Sequence, residues 1–207
     1  MDALGLSRLH IQLPGEESPG PPLEGALRVT ADDGRFVLET VDYGQPFRLL
    51  TAGAESDIAE AVIAYVSRPL PPVRVVSRQD LDTIVDRLAG HYEDLRAGAG
   101  EAGPQGIVID IPPWVPIDRI GALDGVHTYP LNTPFEFRSL PPTALRPETE
   151  LHRFITAADL RVRAAITPPW FGRPGGGIRF TLQQPETGLR DLVFSGRLHR
   201  IQITEPR

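Results

Sequence analysis

The segment Thr167-Pro168-Pro169-Trp170-Phe171-Gly172-Arg173-Pro174-Gly175-Gly176-Gly177-Ile178-Arg179-Phe180 constrains the fold more than any other stretch of this chain. Three consecutive glycines carry no Cβ, so the backbone there can approach a ligand or another strand closely. Prolines on either side fix φ and make a rigid corner. The run then passes into Ile178-Arg179-Phe180-Thr181-Leu182, whose alternation is that of a strand. Two readings are open: a ligand-facing loop walled by Trp170 and Phe171, or a tight turn with the tryptophan plugged into the core.

Residues 1–24, which end in a Pro- and Gly-rich run, read as a flexible tail. Residues 26–31 and 35–41 read as strands joined by Asp32-Asp33-Gly34, and Asp-Gly between such runs signals a hairpin. Residues 46–50 add a third strand-like run. Ile58, Ala61, Val62, Tyr65 and Val66 recur at helical spacing. Leu81, Ile84, Val85, Leu88, Tyr92 and Leu95 make a clearer stripe, opened by Ser77 and Asp80 in the manner of a capping box. Residues 25–96 are therefore expected to form a small β-hairpin/two-helix unit, and the Ala/Gly-rich residues 97–106 a linker. Residues 107–207 read as a compact β-rich domain, with strands expected over 106–111, 151–156, 160–165, 177–183, 191–194 and 198–204 and a helical turn over 141–145. The expected fold class is α+β.

A chain of 207 residues can bury one good core or two small ones. It has no cysteine, which excludes disulfides and thiolate metal sites. All 21 basic residues are arginine, read as compositional bias. No apolar run is long enough to span a membrane, and the N-terminus lacks the basic and apolar regions of a signal peptide. The chain is expected to be soluble, without membrane insertion, and either cytoplasmic or exported by a specialised bacterial secretion system. Residues 1–117 carry a net charge of -9 and residues 118–207 a net +3, against -6 for the whole. A mildly cationic half suits a small anionic ligand such as a dinucleotide pyrophosphate, and the acidic half suits electrostatic docking onto it. The excess is too small for a nucleic-acid binder.

The glycine segment resembles the signature of the tuberculosis necrotizing toxin family of NAD glycohydrolases, Pro-Trp-(Phe/Tyr)-Gly-Gln-Pro-Gly-Gly-Gly-x-Gln-(Tyr/Phe). A second block resembles the family in the right order: Asp118-Arg119-Ile120-Gly121, then Gly125, then Thr133-Pro134-Phe135-Glu136-Phe137-Arg138-Ser139-Leu140-Pro141-Pro142. The resemblance covers about residues 112–203. It implies that residues 107–207 form a compact domain that hydrolyses NAD(P)+ to ADP-ribose and nicotinamide. NAD or NADP is then substrate, no metal or organic cofactor is required, and an immunity or carrier protein is an expected partner.

Cleavage of the nicotinamide–ribose bond passes through an oxocarbenium-like state. The site must hold the pyrophosphate, pocket the nicotinamide and admit one water. The resemblance assigns Arg119 and Arg138 to the dinucleotide, since an arginine fork binds phosphate oxygens in pairs. Were residues 135–138 extended, Glu136 would share a face with Arg138, either as a ribose-facing carboxylate or, the favoured reading, as its ion-pair partner. Ile120, Trp170, Phe171, Gly175, Gly176 and Gly177 are expected to line the substrate. His152 stands where the family carries a functional histidine. Three departures matter: Arg179 replaces the glutamine that active relatives use, Ile120 replaces an aromatic, and His127 falls where the family has a tyrosine. Arg179, His152 and His127 are the expected reaction centre. The alternative is a catalytically silent, diverged member that binds a nucleotide or a protein.

Overall fold

The computed structural model describes residues 9–17 and 20–204. Alternating apolar residues build a four-stranded sheet from β1 (Ile11–Gln12), β2 (Ala26–Asp32), β3 (Arg35–Asp42) and β4 (Gln45–Ala52), paired in that order. Both tight turns place two residues at positive φ, Asp33 (+49°) with Gly34 (+75°) and Tyr43 (+52°) with Gly44 (+71°). This is the turn class whose twist matches that of the flanking strands. Asp-Gly is the usual filling. A tyrosine in the left-handed region costs roughly 1–2 kcal/mol, which other contacts must offset. Helix α1 (Glu55–Ser67) lays Ile58 and Val62 on Leu27, Val29, Leu38 and Leu49.

Part of the expected 1–24 tail, residues 1–8, 18 and 19, lies outside the described residues. The rest is built in: β1 runs parallel to β2, and Ile11 and Leu23 are buried.

The second sheet has eight strands: β5 (Arg74–Ser77), β6 (Ile107–Ile111), β7 (Pro116–Ile120), β8 (His127–Pro130), β9 (Leu151–Thr156), β10 (Leu160–Ile166), β11 (Ile178–Leu182) and β12 (Leu198–Thr204). Their order is β5-β12-β9-β7-β8-β11-β10-β6. Helix α2 (Arg78–Glu101) starts where the Ser77 Oγ accepts the Asp80 N–H at 3.1 Å. It packs on β5, β7 and β10, and its Leu95 joins Ile117, Phe154, Val162 and Phe180 in the main core. The fold is α+β as expected, but the N-terminal unit is not a two-helix unit. Only α1 covers the small sheet, while β5 and α2 belong to the large one. Periodicity reveals an apolar stripe without saying which sheet will cover it. The expected linker is likewise helix as far as Glu101, because Leu95 and Ala99 are buried, followed by a short 3-10 turn over Gly103–Gln105.

Residues 191–194, expected as a strand, belong to helix α4 (Leu189–Phe194). The Gly188 N–H donates to the Asp191 carboxylate at 2.8 Å, and Leu189, Leu192 and Val193 bury one face. Four residues, three of them apolar, are too few to separate the two periods.

The two sheets meet at Arg119, whose guanidinium lies between Gly25 and Gly125. A Cβ on either glycine would collide with it. Gly125→Ala should therefore lose about 3 kcal/mol or more in urea unfolding, as overpacked sites do. Gly34→Ala, with open space around it, should lose only the left-handed penalty of about 1 kcal/mol. Equal losses would show that Arg119 swings clear.

Candidate active site

Strand β7 places Asp118 and Arg119 on opposite faces, both buried. Arg119 is 2% exposed. Its Nη1 and Nη2 each donate to an Asp42 carboxylate oxygen at 2.9 Å, Nη1 also to the His127 carbonyl at 2.9 Å, and Nε to the Ala122 carbonyl at 2.6 Å. Asp42, fully buried at the end of β3, also accepts the Val126 and His127 N–H groups at 2.8 and 3.1 Å. Burial alone would raise the Asp42 carboxyl; the Arg119 guanidinium and these donors hold it below its ordinary value.

Arg138 is equally enclosed. It pairs with Asp118 at 2.7 Å, and its Nε and Nη2 donate to the Thr133 carbonyl at 2.8 and 2.6 Å. Residues 135–138 form the short helix α3 (Phe135–Arg138) rather than an extended run, so Glu136 is exposed and Asp118 is the partner. Both arginines assigned from sequence to the pyrophosphate are thus spent inside the protein.

The glycine run behaves similarly. Gly175, Gly176 and Gly177 donate their N–H groups to the carbonyls of Glu136, Thr167 and Phe137 at 3.3, 2.8 and 2.9 Å, and Thr167 donates back to Gly177 at 2.9 Å. A Cβ on Gly175 or Gly177 would strike the backbone of Thr167–Pro168 or of Phe137. The missing side chains let one backbone segment lie on another, and these amides face protein. Trp170 and Phe171 are not core plugs. They are 47% and 44% exposed and stack on each other at 4.4 Å and 26°. Ile120 is half-buried at the end of β7.

Beside them a polar cluster gathers. On β11, Ile178, Phe180 and Leu182 face the core, which turns Arg179 and Thr181 the other way. The Thr181 Oγ1 and His127 Nδ1 are 3.0 Å apart. The Arg179 guanidinium lies 4.9 Å from the centroid of the Tyr43 ring. That ring meets His127 edge-on at 5.3 Å and lies nearly parallel to Trp170 at 6.4 Å. The Tyr43 hydroxyl bonds the Tyr129 hydroxyl and donates to the Arg138 carbonyl. Its backbone N–H donates to Glu24, whose carboxyl is pushed up to about 7 by burial and by Asp42. Burial, with Arg179 and Arg119, pushes His127 down to about 3, so it is neutral at pH 7.

His152 stands apart from this cluster. It is paired across β9 with Arg119, lies 3.5 Å from Glu150, and is pushed down to about 4 by burial and by Arg119. Of the expected reaction centre, the structure brings together Arg179 and His127 and leaves His152 elsewhere. Asp42, Tyr43, Glu24, Tyr129 and Thr181 were missed. The available signal was Tyr43-Gly44, a bulky residue where a hairpin turn usually carries Asn or Asp.

Residues 110–201 match the family model of the tuberculosis necrotizing toxin. A solved structure of tuberculosis necrotizing toxin complexed with its immunity factor is similar at 21% sequence identity, over 47% of this chain and 57% of that chain, with a TM-score of 0.39. Among curated proteins, none matches. Among the described residues, no helix is long and apolar enough to cross a membrane, and no three His, Cys, Asp or Glu side chains group as metal ligands.

Two outcomes test this electrostatic design. Asp42→Ala strands a buried guanidinium and should cost roughly 3–5 kcal/mol in denaturant unfolding. Glu24 has a folded value above its ordinary 4.5, so its stabilising contribution is full below pH 4.5 and is lost as pH rises through about 7. Wild type should lose roughly 1–3 kcal/mol relative to Glu24→Gln between pH 4.5 and 8, read from urea midpoints. Parallel curves would mean that Glu24 is already ionised at mild acidity.

Proposed function

We propose that this chain is an NAD(P)+ glycohydrolase, hydrolysing NAD to ADP-ribose and nicotinamide. The observation that carries this is the convergence of the two family-like blocks on one place, where β8 and β11 set His127, Thr181 and Arg179 beside the exposed Trp170–Phe171 pair. In the reaction, water adds to C1′ of the nicotinamide ribose, the C–N bond breaks, and neutral nicotinamide and a proton leave. The aromatic pair supplies a face for the nicotinamide. Arg119 and Arg138 are engaged internally, whereas among the described residues no carboxylate pairs with Arg179. Arg179 is therefore the phosphate ligand in this reading. A cation is poorly placed beside a developing oxocarbenium but well placed on a pyrophosphate. His127, neutral at pH 7, orients groups through Thr181 without acting as a charged acid. The catalytic unit begins before residue 107, since β5 and α2 complete its sheet and core.

A second reading, a silent binding module, is favoured by Arg179 in place of the family glutamine. An immunity or carrier protein is part of either reading, because the similar toxin is solved with its immunity factor.

Nicotinamide release by the purified chain, beside Arg179→Gln and Arg179→Ala, separates these readings. Turnover by the unmodified chain is expected, with kcat/KM at least tenfold lower in Arg179→Ala and most of the loss in KM. Silence in the unmodified chain with turnover in Arg179→Gln would establish the silent member. Silence in all three would turn attention to protein partners.

A further inference from the structure

The two hairpin turns of the small sheet share a positive φ at both central residues and differ in what the first of them meets. Gly34 and Gly44 both have open space around them, but Asp33 is exposed whereas Tyr43 is half-buried and Asp42 before it is buried. Asp42 and Tyr43 face the large domain, where residues of both family-like blocks close on them. Asp42 sits in a cradle of four donors: two nitrogens of Arg119 and the backbone N–H groups of Val126 and His127. A guanidinium fork with two convergent amides is the donor set that takes phosphate oxygens. The next residue, Tyr43, puts an aromatic ring against Arg179, His127 and Trp170, and its hydroxyl bonds the Tyr129 hydroxyl and donates to the Arg138 carbonyl. The donors of this buried cradle are thus answered by Asp42, and the space beside Arg179 and Trp170 by the aromatic residue that follows it.

This turn lies outside the matched residues 110–201. It is also held from behind. Glu24 accepts the Tyr43 N–H, the Tyr65 hydroxyl of α1 reaches the Asp191 carboxylate of α4 at 3.2 Å, and Arg68 lies 4.2 Å over the Phe194 ring. The small sheet is thus also docked away from the turn, through α1, which fixes where the turn lies.

We propose that the β3–β4 turn is a tethered occupant of the candidate active site. Asp42 anchors it in an anion cradle, and Tyr43 fills the space beside Arg179 and Trp170, so that the folded chain is closed to NAD until the Tyr43 side chain withdraws. The proposal rests on the reading of this cluster as the dinucleotide site. Tyr43 is a gating residue here, and its strained backbone is retained for the contacts its ring and hydroxyl make.

The chain has two tryptophans, so Trp114→Phe leaves Trp170 as the sole indole reporter beside Tyr43. The full chain in this background is titrated with ADP-ribose, which is not turned over, with and without Tyr43→Ala. Tyr43→Ala should bind at least tenfold tighter by Trp170 fluorescence and should release nicotinamide from NAD faster. Tyr43→Phe keeps the ring and removes the hydroxyl latch, and should bind about threefold tighter; it decides the matter should the alanine variant fail to fold. Equal or weaker binding in both variants overturns the occupant and leaves the site reading standing. Absence of saturable binding in every variant, each showing a cooperative melt, overturns the site reading and the occupant with it.

Discussion

The buried pair of Arg119 and Asp42 is the contact on which the arrangement of the two sheets depends. Such a pair is a poor source of net stability, because removing both charges from water costs about as much as their attraction returns. What it supplies is uniqueness. Asp42 meets two guanidinium nitrogens and two backbone amides, and the guanidinium also meets two carbonyls. Gly25 and Gly125 leave room for that geometry and no other. A shift of one residue in either sheet would strand several buried polar groups at once, each at a cost of about 1–3 kcal/mol. The small sheet can therefore dock in one register only.

That constraint changes what the motif residues mean. Arg119 and Arg138 are expected from the resemblance to hold the dinucleotide, yet two ion pairs, Arg119 with Asp42 and Arg138 with Asp118, neutralise them within the scaffold. Their role is to hold β7, β8 and the α3 segment in place around the cluster. The glycine run does the same from the other side, tying Thr167 and Phe137 to the start of β11. In the proposed reading the chemistry falls to Arg179, His127 and the exposed aromatic pair, which this frame sets around Tyr43. Scaffold and proposed chemistry then sit on neighbouring residues of the same motifs.

The hairpin at Asp33-Gly34, both long helices, the Ser77 cap and most strands of the large sheet were legible, because each rests on a local period or a turn residue. Strands β5, β7 and β8 were not. They are short, and β7 is buried on both faces and carries a charged pair, so it shows no alternation. The partner sheet of α2 was illegible because an apolar stripe does not name what covers it. Arg179 and His127 were legible as motif positions, and the structure sets both against Tyr43. Arg119 was legible as a motif arginine but not its pairing with Asp42: a guanidinium fork fits a carboxylate as well as a phosphate, and only the fold shows which anion it meets. Tyr43 was hidden because its partners lie far along the chain, at Tyr129 and Arg138.

The charge asymmetry of the two halves, read from sequence as a basis for docking, turns out to act through very few groups. The acidic residues of α1 and α2, among them Glu55, Asp57, Asp82, Asp86 and Glu93, are exposed. At physiological ionic strength, exposed charges more than about 8 Å apart are largely screened. Asp42 escapes that screening because it is buried against its partner, and so one carboxylate contributes more to the junction than the whole acidic surface. At this junction Glu24, pushed up to about 7 by burial and by Asp42, changes its charge near neutral pH, while His127 is held neutral there. Ionising Glu24 sets a second negative charge beside Asp42 at the root of the Tyr43 turn. Whatever holds that turn in place is therefore weakest on the alkaline side of neutrality.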